Sequence, residues 1–411
     1  MTISQKDRAR LRDTAKLCKE LAASPRNQQL YRDWQKQGAS RQGIRPLVRI
    51  ELGTFAQDIL PGMMRCEGEA ARAIEARLMS PVANFTLFED DTMVPDHYGV
   101  TEKISFIPFG LEVKRQLTGG VGHHFIPYLH ELEADDHLLG PSVYSIDKAA
   151  SEAEMQLAGD LFGDILPVRR ISNAGYCTPM QDIVHIMNMD DLYIAMLDED
   201  ERFRAMLDRL TDDYIAFFKL QEKEKVLCSA AAMQHLCQGT YCFTDELPDG
   251  VPGASLSKCW LFMDSQETAA ISPAMFAELV FPYYKKVMEH FGLVSYGCCE
   301  AVHAIWDDCL SSIQHLRKVS VSPWCDEAFM GERLRGTGIT YLRKPPATLL
   351  GMNTPALDEE AVLACFRKTA ECASGCKVEL IQRDVYMIGP DPAKVKRYVQ
   401  LARQGMDRWQ P

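Results

Sequence analysis

Apolar positions along this chain recur in two rhythms: a period near two marks strands and a period near 3.6 marks helices. The alternation between them is clearest after residue 257. The apolar run 258–263 predicts a buried strand, and Ser272-Pro273 then supplies a helix N-cap and a proline at the first helical position. The helix that follows places Phe276, Leu279, Val280, Tyr283, Val287 and Phe291 on one face; it stops at Gly292, with a kink expected at Pro282. Further strands are predicted at 293–297, 316–321, 339–346 and 377–384. Helices fall between them, through Trp306, just before Ile339 and over 358–373, and a last one closes the chain over 392–409.

The first half is less regular. Residues 5–38 read as highly charged helix interrupted only by Pro25, expected as a cap outside the core. Residues 45–51 alternate with period two, as a first strand would, and Arg49 and Glu51 face either a barrel mouth or solvent. A helix over 66–79 leads to an apolar run at 84–88 that ends in Glu89-Asp90-Asp91. Such carboxylates past a strand serve either as acid, base or ligand groups or as a solvated cap. Residues 92–148 read as an irregular, partly hairpin insertion. A helix over 149–162, a strand over 163–171 ending near Asn173-Ala174-Gly175, and helical sequence over 179–222 follow.

Roughly eight or nine candidate strands, regularly spaced by helices in the second half, predict a (β/α)8 TIM barrel. It spans 41–411, with an N-terminal helical extension over 1–40 and the insertion at 92–148. A doubly wound sheet is the alternative, disfavoured because no Gly-x-Gly-x-x-Gly follows an early strand. The stretch Gly119-Gly120-Val121-Gly122-His123-His124 lacks the Lys-Ser/Thr of a phosphate loop, and its adjacent histidines are poorly spaced for a metal site.

Charge narrows the partners. Acidic residues outnumber basic ones 57 to 45, and no basic stripe with interleaved aromatics occurs, so nucleic acid is not an expected partner. The opening residues run directly into charged helix and no apolar run reaches the length of a membrane span, so a soluble, cytoplasmic protein is expected. The 14 cysteines form no Cys-x-x-Cys pair and are expected to be free thiols.

The densest chemistry follows the strand at 293–297. There Gly297-Cys298-Cys299-Glu300, with His303 shortly after, offers soft, hard and imidazole donors at the end of a buried strand, where parallel α/β folds keep their reactive groups. Either cysteine is equally at home as a small core residue. Glu267 occupies the equivalent place after the preceding strand and Lys344 after a later one. His235, alone on an apolar stretch, reads as a core histidine or as a site residue.

These strand ends resemble the uroporphyrinogen decarboxylase-like superfamily, and most of all its branch of corrinoid-linked methyltransferases of bacterial O-demethylation. The resemblance is carried by Ser265-Gln266-Glu267-Thr268 with Ser272-Pro273 and Phe281-Pro282-Tyr283, and by Phe291-Gly292-Leu293 with Tyr296-Gly297-Cys298-Cys299-Glu300. Val319-Ser320-Val321-Ser322-Pro323-Trp324 and Lys344-Pro345 continue it, and Arg45-Pro46-Leu47-Val48 and Asp164-Ile165-Leu166-Pro167-Val168 extend it weakly over most of the chain. The arginine-rich Arg-Gln-Ala-Gly-Arg segment of the true decarboxylases is missing. Where zinc-dependent members carry His-x-Cys, this chain has Tyr296-Gly297-Cys298, and their later cysteine falls near Arg383-Asp384.

The resemblance implies methyl transfer from a methoxylated, aromatic donor to the cobalt of a corrinoid carried by a partner protein. The departing oxygen then needs a Lewis acid or a proton, because a phenol has a pKa of about 10. Zinc held by Cys298 and Glu300, with Asp384 or His235 completing the set, is one expectation; Glu267 or Glu300 as general acid is the other, with Lys344 as electrostatic anchor. Gln266, Tyr296, Trp324 and His235 are expected to line the substrate site, with Trp260 nearby as a further wall. A decarboxylase or other lyase, or a ligand-binding barrel without catalysis, are the competing functions, and a homodimer is the expected assembly.

Overall fold

The computed structural model describes residues 3–41, 43–117, 122–171, 174–351 and 356–411; Gly119, Gly120, Val121 and Asn173 lie outside them. Seven short strands form one sheet: β1 (Leu47–Ile50), β2 (Gly175–Cys177), β3 (Trp260–Met263), β4 (Leu293–Tyr296), β5 (Leu316–Val321), β6 (Thr340–Arg343) and β7 (Lys377–Gln382). Their order is β1-β7-β6-β5-β4-β3-β2, and every neighbouring pair is parallel. The protein is therefore α/β with a large parallel sheet. The strand order is that of a barrel, but among the described residues β1 and β2 are not hydrogen-bonded to each other, so the sheet curls without closing.

Parallel strands bury both faces, which is why these segments are so uniformly apolar. Met263, Tyr296, Val319, Tyr341 and Val378 lie in register on the outer face and join the main core under the helices. Phe262, Ser295, Lys318, Thr340 and Lys377 form the matching inner row.

A segment of chain, residues 229–243, packs against that inner face. Leu236 and Cys242 pack with Trp260 and Leu293 in a cluster of their own, and the Trp260 indole donates to the Cys242 carbonyl at 3.1 Å. Lys318 Nζ donates to Thr240 Oγ1 and to Glu379 Oε1, both at 2.7 Å, while the Thr240 hydroxyl donates to the other Glu379 oxygen. Gly239 carbonyl accepts from Arg49 of β1. The segment is a tight hairpin: His235 pairs with Tyr241, and Thr240 N–H donates to Cys237 O across a turn with Gln238 and Gly239 both at positive φ, 56° and 79°. A Cβ on Gly239 would meet Ile381 at 2.5 Å, so glycine is required there for space as well as for backbone.

Five expectations are corrected. The N-terminal helical region is two helices, Gln5–Ala23 and Pro25–Ala39, with Ser24 capping both. They are not outside the core: Leu11, Ala15, Cys18, Leu30 and Trp34 are buried in it, a narrow apolar stripe that the surrounding charges obscure. Residues Asn84–Phe88 are a π-helical turn rather than a strand, ended by Glu89 at a φ of 54°. Of the carboxylates after it, Glu89 is half-exposed and pairs with Lys396, while the two aspartates are neither solvated nor catalytic in geometry. Buried Asp90 accepts from the Ile50 and Thr92 amides and from Asn84, and Asp91 accepts from Val48 N–H at 2.7 Å and pairs with Arg45 and Arg403. The strand expected at 163–171 is Val168–Arg170, which pairs with Tyr98–Val100 away from the main sheet. Its exposed arginines suit an edge, and the sheet takes Gly175–Cys177 instead. The helix expected through Trp306 is only a 3-10 turn, Val302–Ile305.

No helix among the described residues is long and apolar enough to cross a membrane. Glu379→Ala is expected to leave Lys318 buried without its counter-ion and to lower stability by about 3–5 kcal/mol, read as a fall in the urea midpoint. Unchanged unfolding would mean that the pair does not hold the hairpin.

Candidate active site at the carboxyl ends of the strands

Each strand of the curled sheet ends in a polar residue. Asp264 follows β3, Gly297-Cys298-Cys299-Glu300 follows β4, Ser322 follows β5, Lys344 follows β6, Arg383-Asp384 follows β7 and Glu51 follows β1. Because the strands are parallel and in register, these groups emerge at one end of the sheet.

Glu300 ties two of the ends together. Its Oε1 accepts from the Ser265 amide at 3.1 Å and its Oε2 from the Cys298 amide at 2.7 Å, while Ser322 Oγ donates to its carbonyl at 3.1 Å. The sharp turn that brings Glu300 back needs Gly297, at a φ of 97°. Lys344 Nζ is buried; it donates to Gln238 Oε1 at 2.5 Å and lies within 3.4 Å of the Gly297 and Cys298 carbonyls. Arg383 donates to Glu51 Oε2 at 2.9 Å and reaches Cys298 Sγ at 3.8 Å. The two thiol sulfurs are 3.6 Å apart, and Cys299 Sγ is 3.9 Å from Asp384 Oδ2.

Burial shapes the protonation of this cluster. Asp264 is pushed well above the usual carboxylate range by burial and by the neighbouring Glu300, Cys298 and Glu267, with Lys344 opposing. Glu267 is raised to about 7, chiefly by burial, with Glu300 adding to it. One oxygen of each, Asp264 Oδ1 and Glu267 Oε2, is buried with no hydrogen-bond partner among the described residues. Burial lowers Lys344. Cys298 is raised by its bond to Cys299 and by burial, and that bond lowers Cys299 in turn. The site thus holds carboxyl protons near neutrality beside a buried ammonium and a thiol pair.

Of the expected site residues, Glu267, Cys298, Glu300, Lys344 and Asp384 converge here. His235 enters from the hairpin: its ring is solvent-accessible where it lines two cavities, 3.5 Å from the Arg49 guanidinium, and its depth in the fold together with that charge lowers it to about 3. Gln266 shares with Glu267 the 3-10 turn after β3. Tyr296 points to the outer face and is fully buried, while Trp324 stands 74 % exposed beside the site. Trp260 lies deeper, against the hairpin.

The donors named for zinc do not form a set. Both Glu300 oxygens are engaged by backbone amides, and among the described residues no group of three His, Cys, Asp or Glu is arranged to hold a metal ion. The residues as placed do not fit zinc.

Sequence reasoning passed over Asp264, Gln238 and Arg383 as site residues. Asp264 had a signal, being the first polar residue after a buried strand; Gln238 had a weaker one, the Gln-Gly pair between Leu236 and Tyr241 that suggests a hairpin tip.

No family model matches the chain, and no curated protein matches it. Among solved structures it is similar to a methyltransferase from Methanosarcina mazei, at 13% identity and a TM-score of 0.45, over 79% of this chain and 84% of that one.

A carboxyl group raised on folding takes up protons in the native state, so its contribution to stability is present at low pH and is lost as pH rises from about 4.5 to about 7. Glu267→Gln is therefore expected to match wild type near pH 4 and to exceed it at pH 8 by up to roughly 3 kcal/mol, measured by urea unfolding at both pH values. A variant equally destabilised at both would place Glu267 in a neutral structural role.

Proposed function

We propose that the protein moves a methyl group from a methoxylated, aromatic substrate to the cobalt of a corrinoid carried by a partner protein, with a buried carboxyl group protonating the departing oxygen. The observation that carries this reading is the pair Asp264 and Glu267, two buried carboxyl groups with free oxygens and raised pKa values at one end of the sheet. Supporting it are the motifs that resemble corrinoid-linked methyltransferases at these same strand ends.

The chemistry asks for what these residues offer. As the methyl carbon is taken by the nucleophile, the carbon–oxygen bond breaks and its electron pair stays on oxygen. A carboxyl group with a pKa near 7 gives that oxygen a proton in the same step, so phenol leaves rather than phenolate. Lys344, fixed by Gln238 and two carbonyls, faces the developing negative charge without being free to move toward bulk water. Glu300 holds the two loops in register and is a positioning residue.

The test is transfer from a panel of methoxylated aromatics to a reduced corrinoid protein, followed by methylcobalamin absorbance. Wild type is expected to transfer, with a rate that falls as pH rises above about 7. Glu267→Gln is expected to lose about 10²–10⁴ in kcat and that pH dependence. Absence of transfer across the panel would sink the reading.

Trp324, exposed beside the strand ends, suits contact with the partner's corrinoid. Trp324→Ala is expected to slow transfer to the protein-bound corrinoid and to leave transfer to free cobalamin unchanged. Equal loss with both acceptors would assign Trp324 to substrate binding instead.

A further inference from the structure

A second cavity, of about 510 Å³, lies between β2, strand Lys103–Ile107 and helix Asp200–Lys223, outside the carboxylate cluster. It is within the size range of small-ligand sites. His235 and Cys237 of the hairpin line both this space and the cavity beside Arg49, so it adjoins the strand ends.

Its walls are aromatic. Phe106 stacks on Phe217 at 5.3 Å and meets Tyr214 at 4.5 Å, Phe291 closes one side, and Tyr176, 47 % exposed, stacks over Phe262 at 5.5 Å. No lysine or arginine lines it among the described residues. Flat apolar walls without a cation select a planar, uncharged ligand.

Polar side chains interrupt these walls, Ser105, Thr178, Gln181, His185 and His235 among them, and two more sit beside the aromatic rings of the helix. Asp182 accepts from the Tyr214 hydroxyl through Oδ2 at 2.5 Å. Gln221 is 5 % exposed, and its Nε2 has no hydrogen-bond partner among the described residues. A buried amide donor left unpaired costs roughly 1–3 kcal/mol, a cost that a bound acceptor removes. Tyr214, Phe217 and Gln221 are spaced along one face of a single helix, so the donor is rigidly held beside the aromatic walls.

We propose that this cavity seats the aromatic ring of the substrate, an uncharged arene whose oxygen substituent accepts from Gln221 Nε2, and that Gln221 sets specificity for that substituent. Its role as substrate site rests on the methyl-transfer reading above; binding of such an arene does not.

The experiment is calorimetric titration of the full chain with 2-methoxyphenol, with no corrinoid present, alongside methoxycyclohexane, which has the substituent but no planar ring. Wild type is expected to bind 2-methoxyphenol at least tenfold more tightly than methoxycyclohexane. Gln221→Leu is expected to weaken 2-methoxyphenol about tenfold while raising the urea midpoint, because it deletes an unpaired buried donor. Those opposite movements separate a ligand donor from a merely structural residue. Tyr176→Ala, at a half-exposed position where folding is not at risk, is expected to weaken binding as well.

No binding by wild type, or wild-type affinity in both Gln221→Leu and Tyr176→Ala, overturns the proposal. The two readings fail separately. Gln221-dependent binding without transfer to any corrinoid leaves the cavity assignment standing and removes the methyl-transfer reading; transfer with an unchanged KM in Gln221→Leu does the reverse.

Discussion

An ion pair buried inside the curl of the sheet, Lys318 on β5 with Glu379 on β7, is the constraint from which the site's geometry follows. Neither charge has water to fall back on, so each must be met by protein, and Thr240 meets both: it accepts from the lysine and donates to the carboxylate. A buried pair of this kind rarely adds stability over well-packed apolar residues. What it adds here is position. It fixes the depth at which the 229–243 hairpin sits, and the hairpin's tip carries Cys237 and Gln238 toward the strand ends, where Gln238 holds Lys344.

The same economy of polar groups explains the carboxylates. Glu300 is satisfied by two backbone amides, one on its own loop and one on the loop after β3, and therefore holds those loops together. Asp264 and Glu267 have oxygens with no such partners among the described residues, and they meet burial by keeping a proton. Three carboxyl groups at the ends of two neighbouring strands thus divide into one brace and two proton carriers. Chemical type does not distinguish them; the number of donors within reach does.

A comparable division separates the two acidic clusters that stand out in the chain. Asp90 and Asp91 look as reactive in the sequence as Glu300, yet both are consumed in anchoring β1 and its flanking segment through backbone amides and arginines. The N-terminal helices show the converse: a surface dense in charge hides a stripe of Leu11, Ala15, Cys18, Leu30 and Trp34 that is part of the main core. In both cases local composition misleads because burial depends on what another part of the chain brings alongside.

The sequence by itself determined the alternation of strand and helix from residue 258 onward (save for the link between β4 and β5), the parallel sheet it implies, and the presence of Glu267, Cys298, Glu300, Lys344 and Asp384 at strand ends. Those features are local, since a period, a Ser-Pro cap or a glycine stop acts within one or two helical turns. Tertiary structure alone decided that the hairpin occupies the inside of the sheet, that Arg383 reaches Cys298, that Asp264 loses its water, and that Tyr296 faces away from the mouth while Trp324 faces solvent. Each of these is a matter of which distant groups share a small volume and of how much water remains there, and neither quantity is written in the spacing of residues along a chain.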